Sequence, residues 1–198
     1  MQTPKEEIKQ RILEAARKEF LKNGFEKASI RVITTNAKTS KSNLYNYFED
    51  KDALFCAVVE PTIAEMNEGF REIRIRNKHA NTYVLDAQKG VIYGFVKFAY
   101  NHIEDMKLLF YGSSGSSLSA FKNHLIDKIA EALGEWVKQI ASGKHFSKLF
   151  LRSVAGFYIS GMEQLMLEGE TEEQAADHYS EFLAFIYGGW KRALENNP

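Results

Sequence analysis

Between Ser40 and Phe48 the chain reads Ser-Lys-Ser-Asn-Leu-Tyr-Asn-Tyr-Phe. Ser40, Lys41, Ser42 and Asn43 all carry groups that donate to, or accept from, phosphate oxygens and base edges. Ser40 also suits an N-cap, which places the four at the N-terminal end of a short helix. Leu44 and Phe48 stand four apart and share one face. That face holds the helix to a body and turns Tyr45, Asn46 and Tyr47 outward. Exposed tyrosines beside lysines are odd on a plain surface, but their phenols can reach phosphate oxygens. This is the chemistry of recognition, and signatures of catalysis do not accompany it. The chain has no HExxH, paired Cys ligands, GxGxxG, Walker A or GxSxG pattern. The run from Gly112 to Ser117 resembles a phosphate loop only in composition, since no Lys-Ser/Thr follows its glycines, and it reads as a breaker and linker. The five histidines, at 79, 102, 124, 145 and 178, are scattered without a second ligand at metal spacing, so neither metal nor cofactor is expected. The plainer alternative is that Ser29 and Ser40 only cap helices and that Tyr47 only packs.

Helices must position these residues. Thr3, Pro4 and Glu6 form an N-cap, N1 and capping-box set. Ile8, Ile12, Ala15, Ala16 and Phe20 then mark one buried stripe, and Asn23-Gly24 ends the helix. Residues 30–35 are rich in β-branched side chains and favour a strand by propensity. A lone strand has nothing to pair with, however, so Ser29 is expected to cap a short helix over 30–36. A tight turn around Ala37-Lys38-Thr39 leads to the helix at Ser40. Asp50 caps a longer helix that starts at Lys51 and carries Leu54, Phe55, Val58, Val59, Ile63 and Met66, with a kink at Pro61. After a polar connection over 77–84, helices are expected over about 85–102, 103–111, 121–143, 146–168 and 172–195. Thr171 and Gln174 form another capping box, and the loop beside them is short enough to make the last two helices antiparallel. The class is all-α, with about nine helices.

Bulk properties agree. Of 198 residues, 44 % are hydrophobic and 26 % charged, the balance of a globular chain. The formal net charge is zero, but residues 1–51 hold 11 Lys and Arg against 7 Asp and Glu, leaving the remainder at −4. A basic module joined to an acidic body fits a polyanionic partner. No apolar run approaches the length of a membrane span, and the charged start lacks the h-region of a signal peptide. The lone cysteine, Cys56, excludes an internal disulfide, fits a reducing cytoplasm and is expected as a small buried hydrophobe.

Residues 8–55 resemble the tetracycline-repressor (TetR) family of transcription regulators. The likeness lies in Ile12-Leu13-Glu14-Ala15-Ala16, Phe20, Gly24-Phe25, Ser40-Lys41, Leu44-Tyr45-Asn46-Tyr47-Phe48 and Lys51-Asp52-Ala53-Leu54. It implies a three-helix DNA-binding domain over 1–50 and a helical effector-binding and dimerisation domain over 51–198. The implied protein is a cytoplasmic, ligand-responsive regulator, a repressor in the first instance. It would bind a palindromic operator in double-stranded DNA as a homodimer, without enzymatic activity. By this resemblance Lys41, Ser42, Tyr45 and Asn46 face base edges, beside Asn43, while Ser29, Ser40, Tyr47 and Lys51 clamp phosphates. One departure concerns Lys38, which stands where the family usually has a turn glycine.

The body is crowded with aromatics, and stripes of this kind are usually core. Mixed with polar tips they also make ligand pockets. Phe95, Phe98, His102, Met106, Phe110, Phe121, Trp136, Tyr158 and Met162 are the expected lining for a small apolar or aromatic effector. The resemblance implies a dimer built from two copies of the closing helix pair, at Gly156, Gly161, Phe182, Gly188 and Gly189; packing within one chain is the alternative. Two other functions stay open: a helical small-molecule-binding protein with a vestigial helix-turn-helix, and an all-α enzyme.

Overall fold

The computed structural model describes residues 4–79, 94, 97–141, 143–168 and 171–196. Among them every regular element is helical. The helices are α1 (Pro4–Lys27), α2 (Ile30–Asn36), α3 (Lys41–Tyr45), α4 (Lys51–His79, containing Pro61), α5 (Ile103–Lys107), α6 (Phe121–Ile140), α7 (Lys148–Glu168) and α8 (Glu172–Asn196). Residues 97–101 are also helical, and α5 continues into a π-helical turn, Leu108–Gly112. Thr3, Phe95 and most of the expected connection and helix before residue 97 lie outside the described residues. The described part separates into two compact units, Met1–Glu65 with Glu104–Lys122, and Met66–Ile103 with Asn123–Pro198.

In the first unit the apolar stripe of α1 is buried as its spacing requires, with Ile12, Ala16 and Phe20 fully enclosed. The helix does not stop at Gly24. It breaks there at φ 69°, a conformation that costs glycine little, and a last turn re-forms, with the Ala28 amide donating to the Gly24 carbonyl at 3.1 Å. The break turns Phe25 back onto the core. Its ring lies 5.3 Å from that of Phe55, which meets Phe20 edge-on at 5.0 Å. The β-branched run 30–35 is helical within α2, and Ile33 is fully buried.

A charged knot closes the same unit. Thr62 Oγ1 donates to Asp105 Oδ2 at 2.5 Å, and Arg17 Nη1 lies 2.6 Å from Asp105 Oδ1. Asp105 is 5 % exposed, and its Oδ1 meets the guanidinium as an ion contact outside hydrogen-bond geometry. Arg17 also pairs with Glu104 at 3.3 Å.

Two sequence expectations change here. The Gly112–Ser117 run is no slack linker. Ser113 and Ser116 are buried, the Ser113 hydroxyl takes the Leu109 carbonyl at 2.9 Å, and the Ser116 hydroxyl takes the Ser113 carbonyl at 2.6 Å. Short hydroxyl side chains thus satisfy carbonyls freed where the π-helical turn ends. Cys56 is half-buried rather than buried, with Sγ 3.5 Å from Ser117 Oγ.

In the second unit α7 and α8 pack together. Ala155, Ile159, Met162 and Met166 on α7 are buried, as are Tyr179, Ile186, Trp190 and Leu194 on α8. The expected capping box starts α8: the Thr171 amide donates to Gln174 Oε1 at 3.0 Å, and the Gln174 amide to Thr171 Oγ1 at 3.3 Å. Trp136 meets Trp190 edge-on at 5.3 Å, and Trp190 Nε1 donates to the Tyr158 hydroxyl at 3.3 Å.

Burial pushes the phenols of Tyr158, Tyr179 and Tyr187 above the ordinary tyrosine value, and Tyr158 adds repulsion at the other two. The folded state therefore favours the neutral phenols more than the unfolded chain, whose tyrosines titrate near 10. Their stabilisation is whole below about pH 10 and is lost as pH climbs through the raised values. Melting temperature should fall between pH 9.5 and 11, a range set by the roughly 10 of free tyrosine. Tyr179→Phe should flatten that fall; parallel curves for variant and parent would remove Tyr179 as a cause.

Candidate nucleic-acid interface

The helix-turn-helix is α2, a turn and α3. Its turn is closed by the amides of Lys38 and Thr39, which donate to the carbonyls of Thr35 and Thr34 at 3.1 and 3.0 Å. Lys38 takes φ 51°, the one positive value at a non-glycine among the described residues. Glycine would take this conformation at little cost, and lysine bears its strain here. Ser40 caps α3, its hydroxyl accepting from the Asn43 amide at 3.0 Å. The helix is shorter than expected and ends at Tyr45. Leu44 and Phe48 are buried below it.

This burial decides what remains outside. Lys41, Ser42, Tyr45 and Asn46 are exposed on one short helix and its end, and Tyr45 is 39 % exposed. Lys41 Nζ sits 5.8 Å from the centre of the Tyr45 ring. Asn43 is half-buried and occupied, its Nδ2 donating to Thr39 Oγ1 at 2.8 Å, so it braces the turn. Tyr47 is half-buried. Lys51 opens α4 but folds back, its ammonium donating to the carbonyls of Glu26 at 3.1 Å and Ala28 at 3.4 Å and lying over the Phe25 ring at 4.6 Å. Asp50 caps that helix, with Oδ1 accepting from the Ala53 amide at 2.7 Å.

Ser29 stands at the N-cap of α2 but makes no side-chain cap bond. Its amide instead donates to Glu19 Oε1 at 3.0 Å, and Asn23 Nδ2 donates to the same oxygen at 2.9 Å. Glu19, 7 % exposed on α1, therefore helps set where α2 begins, a role that sequence reasoning missed. The missed signal was Glu19 and Asn23 four apart on one helix face. Arg31 was also missed; it is exposed in the first turn of α2, beside Val32 at 41 % exposed.

The residues expected to hold an effector fall into both units. Met106, Phe110 and Phe121 belong to the first, where Met106 and Phe121 are buried. Phe98, His102, Trp136, Tyr158 and Met162 belong to the second. Phe98 and His102 stack at 4.7 Å, Trp136 packs on Trp190, and Met162 lines a narrow cavity with Tyr100, Leu165, Met166 and Tyr179. Of the expected interface residues, Gly161 and Phe182 meet within the chain: a Cβ on Gly161 would come 3.0 Å from the Phe182 ring. Around Gly156, Gly188 and Gly189 an added Cβ would meet nothing within 4 Å. Phe150, Phe157 and Phe185 border an open apolar groove with Gly188 and Gly189, and Phe185 is 74 % exposed. Among the described residues no three potential metal ligands converge, and no helix is long and apolar enough to cross a membrane.

Residues 12–58 match the family described as bacterial regulatory proteins, tetR family. The HTH-type transcriptional regulator UidR of Escherichia coli (strain K12) is 34 % identical over 87 residues, 44 % of this chain and 44 % of that regulator. The HTH-type transcriptional repressor NicS of Pseudomonas putida is 39 % identical over 64 residues, 32 % of this chain and 30 % of that repressor. The chain is thus matched over less than half the length of these relatives. Two solved structures extend the likeness of fold. A TetR-like transcriptional regulator from Rhodococcus sp. RHA1 superposes with a TM-score of 0.64 at 20 % identity, over 89 % of this chain and 96 % of that one. A transcriptional regulator from Aquifex aeolicus VF5 does so at 0.65 and 18 %, over 90 % and 99 %.

The left-handed residue and the cap yield opposite expectations for stability. Lys38→Gly should stabilise the chain by about 1 kcal/mol, because it removes the Cβ that makes φ 51° costly. Ser40→Ala should destabilise it by about 1 kcal/mol through loss of the cap. Urea unfolding checks both, and a neutral Lys38→Gly would mean that the turn bears no strain.

Proposed function

We propose that this chain is a member of the tetR family of bacterial regulatory proteins, to which its residues 12–58 are similar, and a ligand-responsive transcription regulator that binds operator DNA as a homodimer. The observation that carries the reading is the short, firmly anchored α3 with Lys41, Ser42, Tyr45 and Asn46 exposed together. A recognition helix presents its N-terminal residues to the major groove in this manner. In this reading Lys41, Ser42, Tyr45 and Asn46 contact base edges, while Ser29, Ser40, Tyr47 and Lys51 serve the phosphates around them. Lys51 must first exchange its two carbonyl partners for a phosphate, and Asn43 acts by holding the turn. Repression, in a cytoplasmic setting, is the mode favoured, as NicS is by its name a repressor. A second copy of the chain is the partner favoured for the α7–α8 face, since the large apolar side chains of Phe157 and Phe185 project there beside glycines with no neighbour.

Selection of bound fragments from a random DNA pool, followed by gel shift, tests the reading directly. One palindromic site should emerge, and failure to enrich any sequence would leave the helix-turn-helix without a function. With the selected site, Lys41→Ala should cost about 1–3 kcal/mol and relax specificity at the base it meets, whereas Lys51→Ala should weaken all sequences alike and lower the slope of log K against log salt by about one. A separate expectation concerns assembly. The parent should sediment as a dimer at micromolar concentration and Phe185→Lys as a monomer. Gly161→Leu is a poor substitute here, because its side chain would strike Phe182 in the same chain. A monomeric parent would overturn the dimer.

A further inference from the structure

Two asparagines belong to α3 and its end, and folding gives them different work. Asn43 is half-buried, and its Nδ2 donates to Thr39 Oγ1 at 2.8 Å. Asn46 is exposed, and its side chain makes no hydrogen bond among the described residues. The helix end is closed by backbone, with the Asn46 amide donating to the Asn43 carbonyl at 3.1 Å, so the side chain has no capping duty. Standing four apart, Ser42 and Asn46 form one outward pair beside that of Lys41 and Tyr45. The five residues of α3 span about 7.5 Å, against a major groove about 12 Å wide, so its end meets the same groove as its start. We propose that Asn46 reads one adenine in each operator half-site, its Nδ2 donating to adenine N7 and its Oδ1 accepting from the adenine N6 amine. The proposal rests on reading α3 as a recognition helix and deepens that reading by naming the base.

Donors and acceptors select both the residue and the base. Lys41 offers donors alone, which suit the two acceptors of guanine and have nothing to give the adenine amine. The hydroxyls of Ser42 and Tyr45 rotate to donate or to accept, and so fix no base. Of the four exposed side chains, the Asn46 carboxamide alone holds a donor and an acceptor side by side in one plane. Adenine presents the complement, an acceptor at N7 beside a donor at N6. Guanine presents two acceptors, and cytosine and thymine one polar group each. Asn36 is exposed and carries the same carboxamide, but it ends α2, and the first helix of such a motif crosses the backbone rather than entering the groove.

Sites are selected from a random DNA pool by the full chain and by Asn46→Ala, Asn46→Asp and Asn36→Ala, and binding is measured by gel shift at one salt concentration. The parent and Asn36→Ala should select a half-site with one adenine that Asn46→Ala no longer prefers, a loss of about 5- to 150-fold in discrimination at that position. Asn46→Asp, whose carboxylate only accepts, should move the preference there to cytosine, whose N4 amine donates. In the parent's site, that adenine is replaced by 7-deazaadenine, which lacks the N7 acceptor, or by purine, which lacks the N6 amine. Each replacement should weaken the parent and leave Asn46→Ala unchanged. Should Asn46→Ala fail to fold, the switch to cytosine in Asn46→Asp and the parent's response to the two analogues decide. An adenine preference that survives either Asn46 variant or disappears with Asn36→Ala, uniform weakening at every position, or a parent indifferent to either analogue overturns the proposal. A parent that selects a site without such an adenine defeats this inference alone; one that selects no site defeats the recognition reading with it.

Discussion

A helix of five residues has no stability of its own, because closing its first turn fixes several dihedrals for a single hydrogen bond. The exposed face of α3 therefore depends on its buried one. Leu44 is wholly enclosed and Phe48 is 5 % exposed, and burying side chains of this size contributes about 1.5–3 kcal/mol each. That contribution is on the scale needed to hold α3, with the Ser40 cap and the Asn43–Thr39 bond fixing its entry. Anchoring from below leaves Lys41, Ser42, Tyr45 and Asn46 free of structural duty. Their side chains can then be chosen for what they touch outside the protein.

The charged groups around this core divide between fixing it and remaining available. Glu19 takes the Ser29 amide and fixes the start of α2. Arg17, Asp105 and Thr62 link α1, α5 and α4 inside the same compact unit. Asp105 is buried while Arg17 reaches solvent, so removing Arg17 would leave the buried carboxylate with Thr62 alone, an unfavourable burial of charge. This knot is therefore a condition for the arrangement rather than a decoration of it. Lys51 lies between the two roles. Its ammonium already satisfies two carbonyls at the end of α1, so any phosphate it meets must replace bonds it already makes.

Local reasoning succeeded where the decisive partner is local. The β-branched run 30–35 is readable as helix because no partner strand occurs among the described residues, and the Thr171–Gln174 box lies within four residues. It failed where the partner is distant. Ser29 looks like a capping side chain, but the group that satisfies the start of α2 is Glu19, ten residues earlier. Asn43 and Lys51 looked available because sequence displays donors without the acceptors that folding brings to them. Gly112–Ser117 looked like a linker because nothing in its composition announces that two of its serines are buried. The expected pocket shows the same limit. Helical spacing identifies Met106, Phe121 and Met162 as inward-facing, but it does not tell a core from a cavity wall.

The glycines of α7 and α8 carry the last step. Glycine within a helix is destabilising by roughly 0.8–1 kcal/mol relative to alanine, a cost that a contact too close for a Cβ can offset. For Gly161 that contact is inside the chain, where the Phe182 ring occupies the space a Cβ would need. Gly156, Gly188 and Gly189 have no such neighbour, and alanine would fit at each without touching anything within 4 Å. Packing within one protomer therefore accounts for Gly161 and leaves the other three unexplained. Gly188 and Gly189 border the open groove that also holds the exposed rings of Phe157 and Phe185. In the dimer proposed above, two copies related by a twofold axis would bring this strip and these rings against each other.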